Sequence, residues 1–215
     1  MPVELFGHRY SVYSWIARLA PAEKGVAHGW TEINPFDEDM PAAHLEVHPF
    51  RRVPALKHGG FVFCETDAIT RHIDEAFPGP SLQANELRAR ARVSQIVSVV
   101  DSYGYWPLVR QVFSHGFFRP RLGRPADEAE FRKGPDASPR VLGALDALAG
   151  DGSYLFGNEV SLADVHFSPM IAYFTMAPEG PAVLATHGKL QAWWGRMVQR
   201  PSVAATRPEF PLERT

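Results

Sequence analysis

The sequence predicts a small α/β domain followed by a larger all-helical domain. Strand-like and helix-like segments alternate through residues 1–78, whereas no convincing strand follows in residues 84–215. A Pro-Gly-Pro tripeptide at residues 78–80 lies between the two parts. Because Pro and Gly interrupt regular structure, we place the domain boundary there.

Four short strands and three helices are predicted in the first domain. The strands are apolar or alternating runs bounded by Gly, Pro or Asn, at residues 3–6, 29–33, 53–56 and 61–63. Apolar residues at helical spacing predict the helices. The first ends at Lys24, the second is weakly indicated at residues 41–47, and the third runs from Glu65 to Phe77. The resulting order is strand, helix, strand, helix, strand, strand, helix.

Helices alone are predicted in the second domain. Residues 86–100 form a long amphipathic helix that runs on to about Trp106, where Pro107 would kink it. Four prolines within residues 119–139 instead predict a connection or a short helix in a loop. Further helices are predicted at residues 141–148 and 190–199. Another is predicted to start at Ser161, where Asp164 completes a capping box. Residues 208–215 are predicted to be a polar tail.

Composition excludes several classes of protein. The chain has 215 residues, of which 45% are apolar and 21% charged, as is typical of a globular protein. Its formal net charge of −2 gives no electrostatic reason to bind nucleic acid or an anionic membrane. No apolar run approaches the roughly 20 residues of a membrane span, and the N-terminus lacks the pattern of a signal peptide. The single cysteine, Cys64, excludes an internal disulfide and suits the cytoplasm; we expect it to be buried as a small apolar residue.

Two neighbouring segments of the first domain carry the strongest functional signal. Pro54 has no N–H to donate to a sheet, and X-Pro bonds adopt the cis form more readily than others. A cis bond here would turn the main chain of Val53 outward, free to pair with an extended peptide. Glu65 and Thr66 come at a helix start, whose free N–H groups favour a carboxylate. The combination suits a short peptide that carries an amine and a carboxylate at one end.

Several motifs of the first domain resemble those of the cytosolic glutathione transferases. Residues 6–11 resemble the strand and loop that carry the catalytic serine of the phi class, and residues 14–18 resemble the helix start of the zeta class. Residues 48–54 are similar to the family's Asn-Pro-Phe-Gly-Gln-Val-Pro stretch. Residues 63–69 are similar to its Glu-Ser-x-Ala-Ile stretch.

The second domain contains further motifs of that family. Residues 154–165 resemble its folding signature, and residues 193–201 resemble its last helix. The order and spacing of these motifs match the family along nearly the whole chain. The resemblance implies the glutathione transferase fold of a serine-type member, with a thioredoxin-like N-terminal domain that binds glutathione and an all-helical C-terminal domain that carries the electrophile pocket.

The resemblance also implies an activity. The protein would activate the thiol of glutathione for attack on a small electrophile, in detoxification, as a cytoplasmic homodimer. Glutathione would be a co-substrate, and no permanently bound cofactor is implied. Two alternatives remain: a glutathione-dependent isomerase or peroxidase, and a binding protein that keeps the fold without turnover. The second is open because residues 39–43 lack the basic side chains with which the phi class binds the glycine carboxylate; His44 or Arg52 would have to substitute.

Ser11 is the residue that the resemblance assigns to thiol activation. Its hydroxyl would donate a hydrogen bond to the glutathione thiolate close to the positive end of a helix, which favours the ionised thiol. Alternatively, Ser11 is only a helix cap. Tyr10 or Tyr13 would then donate instead, as tyrosine does in other classes of the family.

Five residues would bind the tripeptide itself according to the same resemblance. The main chain of Val53, before a cis Pro54, would pair with the cysteinyl part of glutathione. Glu65 and Thr66 would hold its γ-glutamyl end. Arg52 occupies the position of the family's glutamine, where its guanidinium would reach a carboxylate.

The spacing of other side chains in the sequence suggests roles for some of them and excludes others. The candidates for the electrophile pocket are aromatic residues of the second domain, which at such spacing also form cores: Tyr105, Trp106 and Phe113. Phe50 is predicted either in the core or as a hydrophobic key inserted into a partner subunit. No metal site is predicted, because His44 and His48 have the i, i+4 spacing of metal ligands but no further ligand pattern accompanies them.

Overall fold

The computed structural model of the chain describes residues 1–210, so residues 211–215 of the predicted polar tail lie outside the described residues. The chain divides into two units, residues 1–82 with 204–208, and residues 83–203 with 209 onward. The first unit is α/β and the second is helical, which confirms the predicted fold class. No helix among the described residues is long and apolar enough to cross a membrane.

A mixed four-stranded sheet forms the centre of the first unit. Its strands are β1 (Val3–Gly7), β2 (Gly29–Glu32), β3 (Ala55–His58) and β4 (Phe61–Cys64), in the order β2-β1-β3-β4. β1 and β2 are parallel, and the other two pairs are antiparallel. β3 begins two residues later than predicted, because Pro54 has no N–H to contribute to the sheet.

Three helices accompany the sheet in the predicted order: α1 (Val12–Lys24), α2 (Ala42–Val47) and α3 (Thr66–Ala76). The apolar stripe of α1 is fully buried, with Trp15, Ile16 and Leu19 at 0% exposure. α1 ends at Gly25, whose φ of 69° is the left-handed conformation that a residue without a Cβ adopts at no steric cost.

The first unit also contains the segment 204–208, which the sequence assigned to the helical domain. The indole Nε1 of Trp15 donates to Thr206 Oγ1 at 2.9 Å, and Arg18 Nη2 donates to the Thr206 carbonyl at 2.6 Å. Hydrogen bonds between residues this far apart in the sequence leave no local pattern, so the segment could not be placed from the sequence.

The second unit begins with one long helical rod. α4 (Leu87–Val99) continues into a π-helical segment (Val100–Phe118) and a final turn, α5 (Arg119–Arg121). The rod therefore continues past Trp106, and the predicted end there is wrong. In the π-helical segment the turns are wider and hydrogen bonds run from i to i−5, as from the N–H of Arg119 to the carbonyl of Ser114, and Pro107 lies within this irregular winding.

The prediction of a connection through residues 119–139 is wrong beyond Asp127. α6 runs from Glu128 to Leu148 and includes Pro135 and Pro139. Close packing against the π-helical segment outweighs the lost hydrogen bonds: a Cβ on Gly134 would lie 2.6 Å from Val112 Cγ2. Tertiary contacts thus override the local preference of the prolines.

Shorter helices follow α6, and the end of the last one lies in the segment 204–208 of the first unit. The predicted helix at Ser161 is α7 (Leu162–Phe174), with its capping box, and the predicted helix at 190–199 is α9 (Gly188–Met197). Two six-residue helices were not predicted, α8 (Gly180–Ala185) and α10 (Pro201–Thr206). Pro201, two residues after the predicted helix at 190–199, opens α10, because proline fits the first turn of a helix.

A buried ion pair ties α1 to α3, and its removal tests the packing of the first unit. Lys24 Nζ lies 3.0 Å from Asp74 Oδ1, with side chains 2% and 4% exposed, and Asp74 also accepts from the N–H of Leu82. Lys24→Met leaves a buried carboxylate without its cation, so we expect a loss of about 3–5 kcal/mol of unfolding free energy in urea titrations.

The matched control is Lys24→Met combined with Asp74→Asn, which removes both charges and keeps an oxygen for Leu82. It should recover most of the loss. A single variant as stable as the parent chain would contradict this account of the pair.

Candidate functional site

The register of the sheet brings three segments to one end of it. Phe6 of β1 pairs with Ala55 of β3, and Ala55 pairs in turn with Cys64 of β4. The loop after β1, the residues before β3 and the residues after β4 therefore all leave the sheet at the same end. These are the segments that carry the predicted residues Ser11, Val53 and Glu65.

Ser11 is the N-cap of α1, a helix of 13 residues. Its Oγ accepts from the N–H of Ser14 at 3.3 Å, and its own N–H donates to the His8 carbonyl at 2.9 Å. A hydroxyl has one proton and two acceptor sites, so capping leaves the proton available for a ligand. The cap role and the predicted activating role are therefore compatible. Tyr10 and Tyr13, the alternative donors, are both half-buried.

The loop that carries Ser11 is held by a glutamate on β2. Glu32 accepts from the N–H of Arg9 at 3.0 Å and from the indole of Trp30 at 3.1 Å. Burial tends to raise the pKa of Glu32, but these hydrogen bonds outweigh it and leave the pKa below its usual value. Burial also lowers the pKa of His8, whose Nδ1 accepts from the N–H of Tyr10 at 3.0 Å and is therefore unprotonated. The loop thus has a defined conformation before any ligand arrives.

The peptide bond between Val53 and Pro54 is cis, as predicted. Among the described residues, no hydrogen bond joins the main chain of Val53 to another group, although its side chain packs in a buried cluster with Ile33 and Met40. His44 Nε2 lies 2.8 Å from the Arg52 carbonyl, and it must donate because a carbonyl only accepts. His44 thus anchors the chain one residue before Val53.

Glu65 has an unusual backbone conformation at the start of α3. Its φ of 77° and ψ of 123° are rare for a residue with a side chain, and the side chain is exposed and does not cap the helix. The first helical hydrogen bond here is donated by Ile69, and no described residue accepts from the N–H of Thr66 or Asp67. Strained backbone concentrates at binding sites, and uncapped N–H groups favour an anion.

Cys64 lies beside Glu65 and is half-buried rather than buried as predicted. Burial and the Glu65 carboxylate both raise the pKa of its thiol. Cys64 is therefore protonated at neutral pH and is a poor nucleophile.

The predicted pocket residues have different environments within the second unit. Phe113 is 3% exposed and stacks on Tyr173 at 4.1 Å between ring centroids, so it belongs to an aromatic core. Trp106 is 57% exposed, and Tyr105 is half-buried. Their assignment to an electrophile pocket stays a prediction. In the first unit Phe50 is 73% exposed, so the alternative that it belongs to the core of the chain is wrong.

Sequence reasoning missed two residues that organise this end of the sheet. Glu32 and His44 were not assigned positioning roles, yet they fix the chain beside Ser11 and Val53. His44 was considered only as a metal ligand or a substitute for the missing basic residues. The contacts of both residues join separate segments, so only the folded chain reveals them.

Comparison with known proteins gives the family. Residues 5–81 match the family model of the glutathione S-transferase N-terminal domain, and residues 105–201 match that of the C-terminal domain. Glutathione S-transferase F10 of Arabidopsis thaliana is 30% identical over 194 residues, which cover 88% of this chain and 89% of that protein. Glutathione S-transferase F9 of the same plant is 31% identical over 195 residues, covering 87% and 88%.

A solved structure agrees with these relatives. The apo form of glutathione S-transferase III superposes with a TM-score of 0.85 at 26% identity, covering 98% of this chain and 99% of that chain. The chain belongs to the glutathione S-transferase family.

The strained backbone at Glu65 predicts how two substitutions there change the stability of the ligand-free protein. Glycine adopts a positive φ freely, whereas alanine does not, and strain of this kind costs about 1–3 kcal/mol. Part of the gain is offset because glycine loses about 0.5–1 kcal/mol of entropy on folding. Glu65→Gly should therefore be more stable than Glu65→Ala by about 1 kcal/mol in urea titrations. Equal stability of the two variants would mean that the backbone is unstrained.

Proposed function

We propose that this protein is a glutathione transferase in which the end of the sheet near Ser11, Val53 and Glu65 binds glutathione and activates its thiol for attack on a small electrophile. The observation that carries the proposal is the convergence of three unlike groups at that end. They are a hydroxyl at a helix N-terminus, an unpaired stretch of main chain and an uncapped helix start.

The tripeptide would lie across the end of the sheet in an extended conformation. The N–H and carbonyl of Val53 would pair with its cysteinyl residue, as a further strand would. The γ-glutamyl carboxylate would bind at the N–H groups of Thr66 and Asp67, and the Glu65 carboxylate would receive the ammonium group. At the other end, the exposed guanidinium of Arg52 is available for the glycine carboxylate. His44 is the weaker candidate, since it is 5% exposed and its Nε2 is engaged.

Ser11 would supply the chemical activation. A free thiol with a pKa of about 8.5 is only about 3% ionised at pH 7. A drop of about two pKa units, from the Ser11 hydroxyl and the N-terminus of α1, would raise the thiolate population roughly 25-fold. Nucleophilicity falls with pKa along a slope of about 0.4–0.5, so the net gain at pH 7 is a few-fold. The larger part of the rate enhancement must come from holding the electrophile against the sulfur.

The proposal also covers the oligomeric state, the cellular compartment and the biological role of the enzyme. We place the enzyme in the cytoplasm as a homodimer with a role in detoxification. Exposed apolar side chains on the first unit support the dimer, because an interface would remove them from water: Phe50, Phe61 and Val62 are 73%, 58% and 38% exposed. Sedimentation analysis would reveal a single species of twice the chain mass.

A paired assay separates the enzyme from its alternatives. We expect the protein to be retained on immobilised glutathione and to conjugate glutathione to a chloronitrobenzene substrate. Retention without conjugation, or with isomerase or peroxidase activity alone, would favour the alternatives. Failure of both retention and conjugation would contradict the assignment of the site.

Two substitutions at Ser11 separate its cap role from its activating role. Both Ser11→Ala and Ser11→Gly remove the hydroxyl, but alanine at an N-cap costs about 1 kcal/mol, whereas glycine costs a few tenths. Both should lower the conjugation rate at pH 7 by at least about threefold, because the pKa of bound thiol returns towards its free value. The deficit should shrink above about pH 8.5, where the thiol ionises unaided.

The measurements are the pH profile of kcat/KM and the near-ultraviolet absorbance of the bound thiolate, with urea titrations of both variants. If activity follows stability, so that glycine restores it, Ser11 is only a cap. In that case Tyr10→Phe and Tyr13→Phe identify the donor.

A further inference from the structure

Three potential metal ligands converge at the end of β4. A ring nitrogen of His48, the Sγ of Cys64 and a carboxylate oxygen of Glu65 all lie within 4.8 Å of one another. The three residues come from two separate parts of the chain, and they differ in exposure: His48 is buried, Cys64 half-buried and Glu65 exposed. The cluster therefore opens to solvent on the side of Glu65, its most exposed member.

His48 is the unusual member of this cluster. It is 3% exposed, and its Nδ1 is buried without a hydrogen-bond partner among the described residues. A buried polar atom without a partner costs free energy, so most such atoms in folded proteins are paired with protein, water or an ion. An imidazole, a thiolate and a carboxylate are together the ligand types that Zn²⁺ prefers.

We propose that His48, Cys64 and Glu65 form a binding site for Zn²⁺. Three protein ligands leave the fourth tetrahedral position for water, which is the arrangement of an open zinc site. On binding, the thiol of Cys64 releases its proton to solvent and the sulfur coordinates as thiolate.

The geometry needs only a small adjustment. With Zn–S of about 2.3 Å and Zn–N or Zn–O of about 2.0–2.2 Å, neighbouring ligand atoms of a tetrahedral site lie about 3.5 Å apart. The three atoms therefore have to approach by little more than about 1 Å from their present limit of 4.8 Å. Rotation of the exposed Glu65 and half-buried Cys64 side chains can supply this movement, while His48 is buried.

This set of three ligands differs from the pair that helical spacing indicates. His44 and His48 lie one helical turn apart, but His44 Nε2 donates to the Arg52 carbonyl at 2.8 Å. The structure thus directs His48 towards the end of β4 rather than towards its sequence neighbour.

Occupation of the site would oppose glutathione binding, a consequence that rests on the proposed function. Glu65 is assigned both to Zn²⁺ and to the ammonium group of the γ-glutamyl residue. The carboxylate cannot serve both at once, so Zn²⁺ and glutathione should exclude each other. Zinc would then act as a reversible inhibitor that is competitive with glutathione.

Direct titration tests the site without any reference to catalysis. Zn²⁺ is titrated into the full chain, free of any histidine tag, in competition with a chromophoric chelator. We expect one Zn²⁺ per chain, and roughly 100-fold or greater loss of affinity in Cys64→Ala, since even outer-shell substitutions cost up to about that much. The matched control is His72→Gln, because His72 Nε2 and His58 Nδ1 lie 3.0 Å apart and form the obvious competing pair.

A second measurement keeps the proposal testable if Cys64→Ala fails to fold. Co²⁺ bound to the parent chain should give the intense near-ultraviolet charge-transfer band of a cobalt–thiolate bond, and the chain has one cysteine to supply it. Equal Zn²⁺ affinity in the parent chain and Cys64→Ala, loss of binding in His72→Gln, or Co²⁺ binding without the thiolate band would each overturn the proposal.

The competition is measured with S-methylglutathione, which has no free thiol to bind the metal. We expect it to weaken Zn²⁺ binding to the parent chain. If Zn²⁺ binds through Cys64 and S-methylglutathione binds beside it without competition, the metal site stands and the assignment of Glu65 to the γ-glutamyl group is wrong.

Discussion

The pairing of β3 with β1 on one side and β4 on the other is the constraint on which the rest of the site depends. Ala55 is held between Phe6 and Cys64, so the chain before β3 and the chains after β1 and β4 must leave the sheet together. A shift of one residue in either pairing would turn every side chain of that strand to the opposite face. The register of the sheet therefore determines the site, because it fixes the strand ends from which the loops start.

Three groups at this end of the sheet have a structural role and also keep hydrogen-bonding capacity that the folded chain does not use. Ser11 caps α1 with a lone pair and keeps its proton, Val53 packs its side chain and leaves its main chain unpaired, and α3 begins at a strained Glu65 without a side-chain cap. Unpaired polar groups and strain destabilise the free protein, and a ligand with matching groups would remove that cost. On these grounds a small tripeptide would gain affinity, because the groups that bind it are already in place before it arrives.

Local patterns were enough to predict the strands, α1, α3, the cis bond at Pro54 and the capping box at Ser161, because each depends on residues close in sequence. They failed for α6, where packing of Gly134 against Val112 outweighs two prolines, and for Thr206, which bonds to Trp15 across the chain. Within the proposed site, motifs were enough to point to Ser11, Val53 and Glu65, whose segments the sheet register brings to one end. The residues that hold them, Glu32 and His44, act across separate segments and could not be found in that way.

Amide hydrogen exchange, resolved by residue and measured with and without S-methylglutathione, tests this account most directly. The N–H groups of Val53, Thr66 and Asp67 have no acceptor among the described residues, so they should exchange rapidly in the free protein. We predict that they become strongly protected in the complex, while the amides of β2 and α9 change little. Saturating ligand that leaves these three amides unprotected would contradict the claim that this end of the sheet binds glutathione through its main chain.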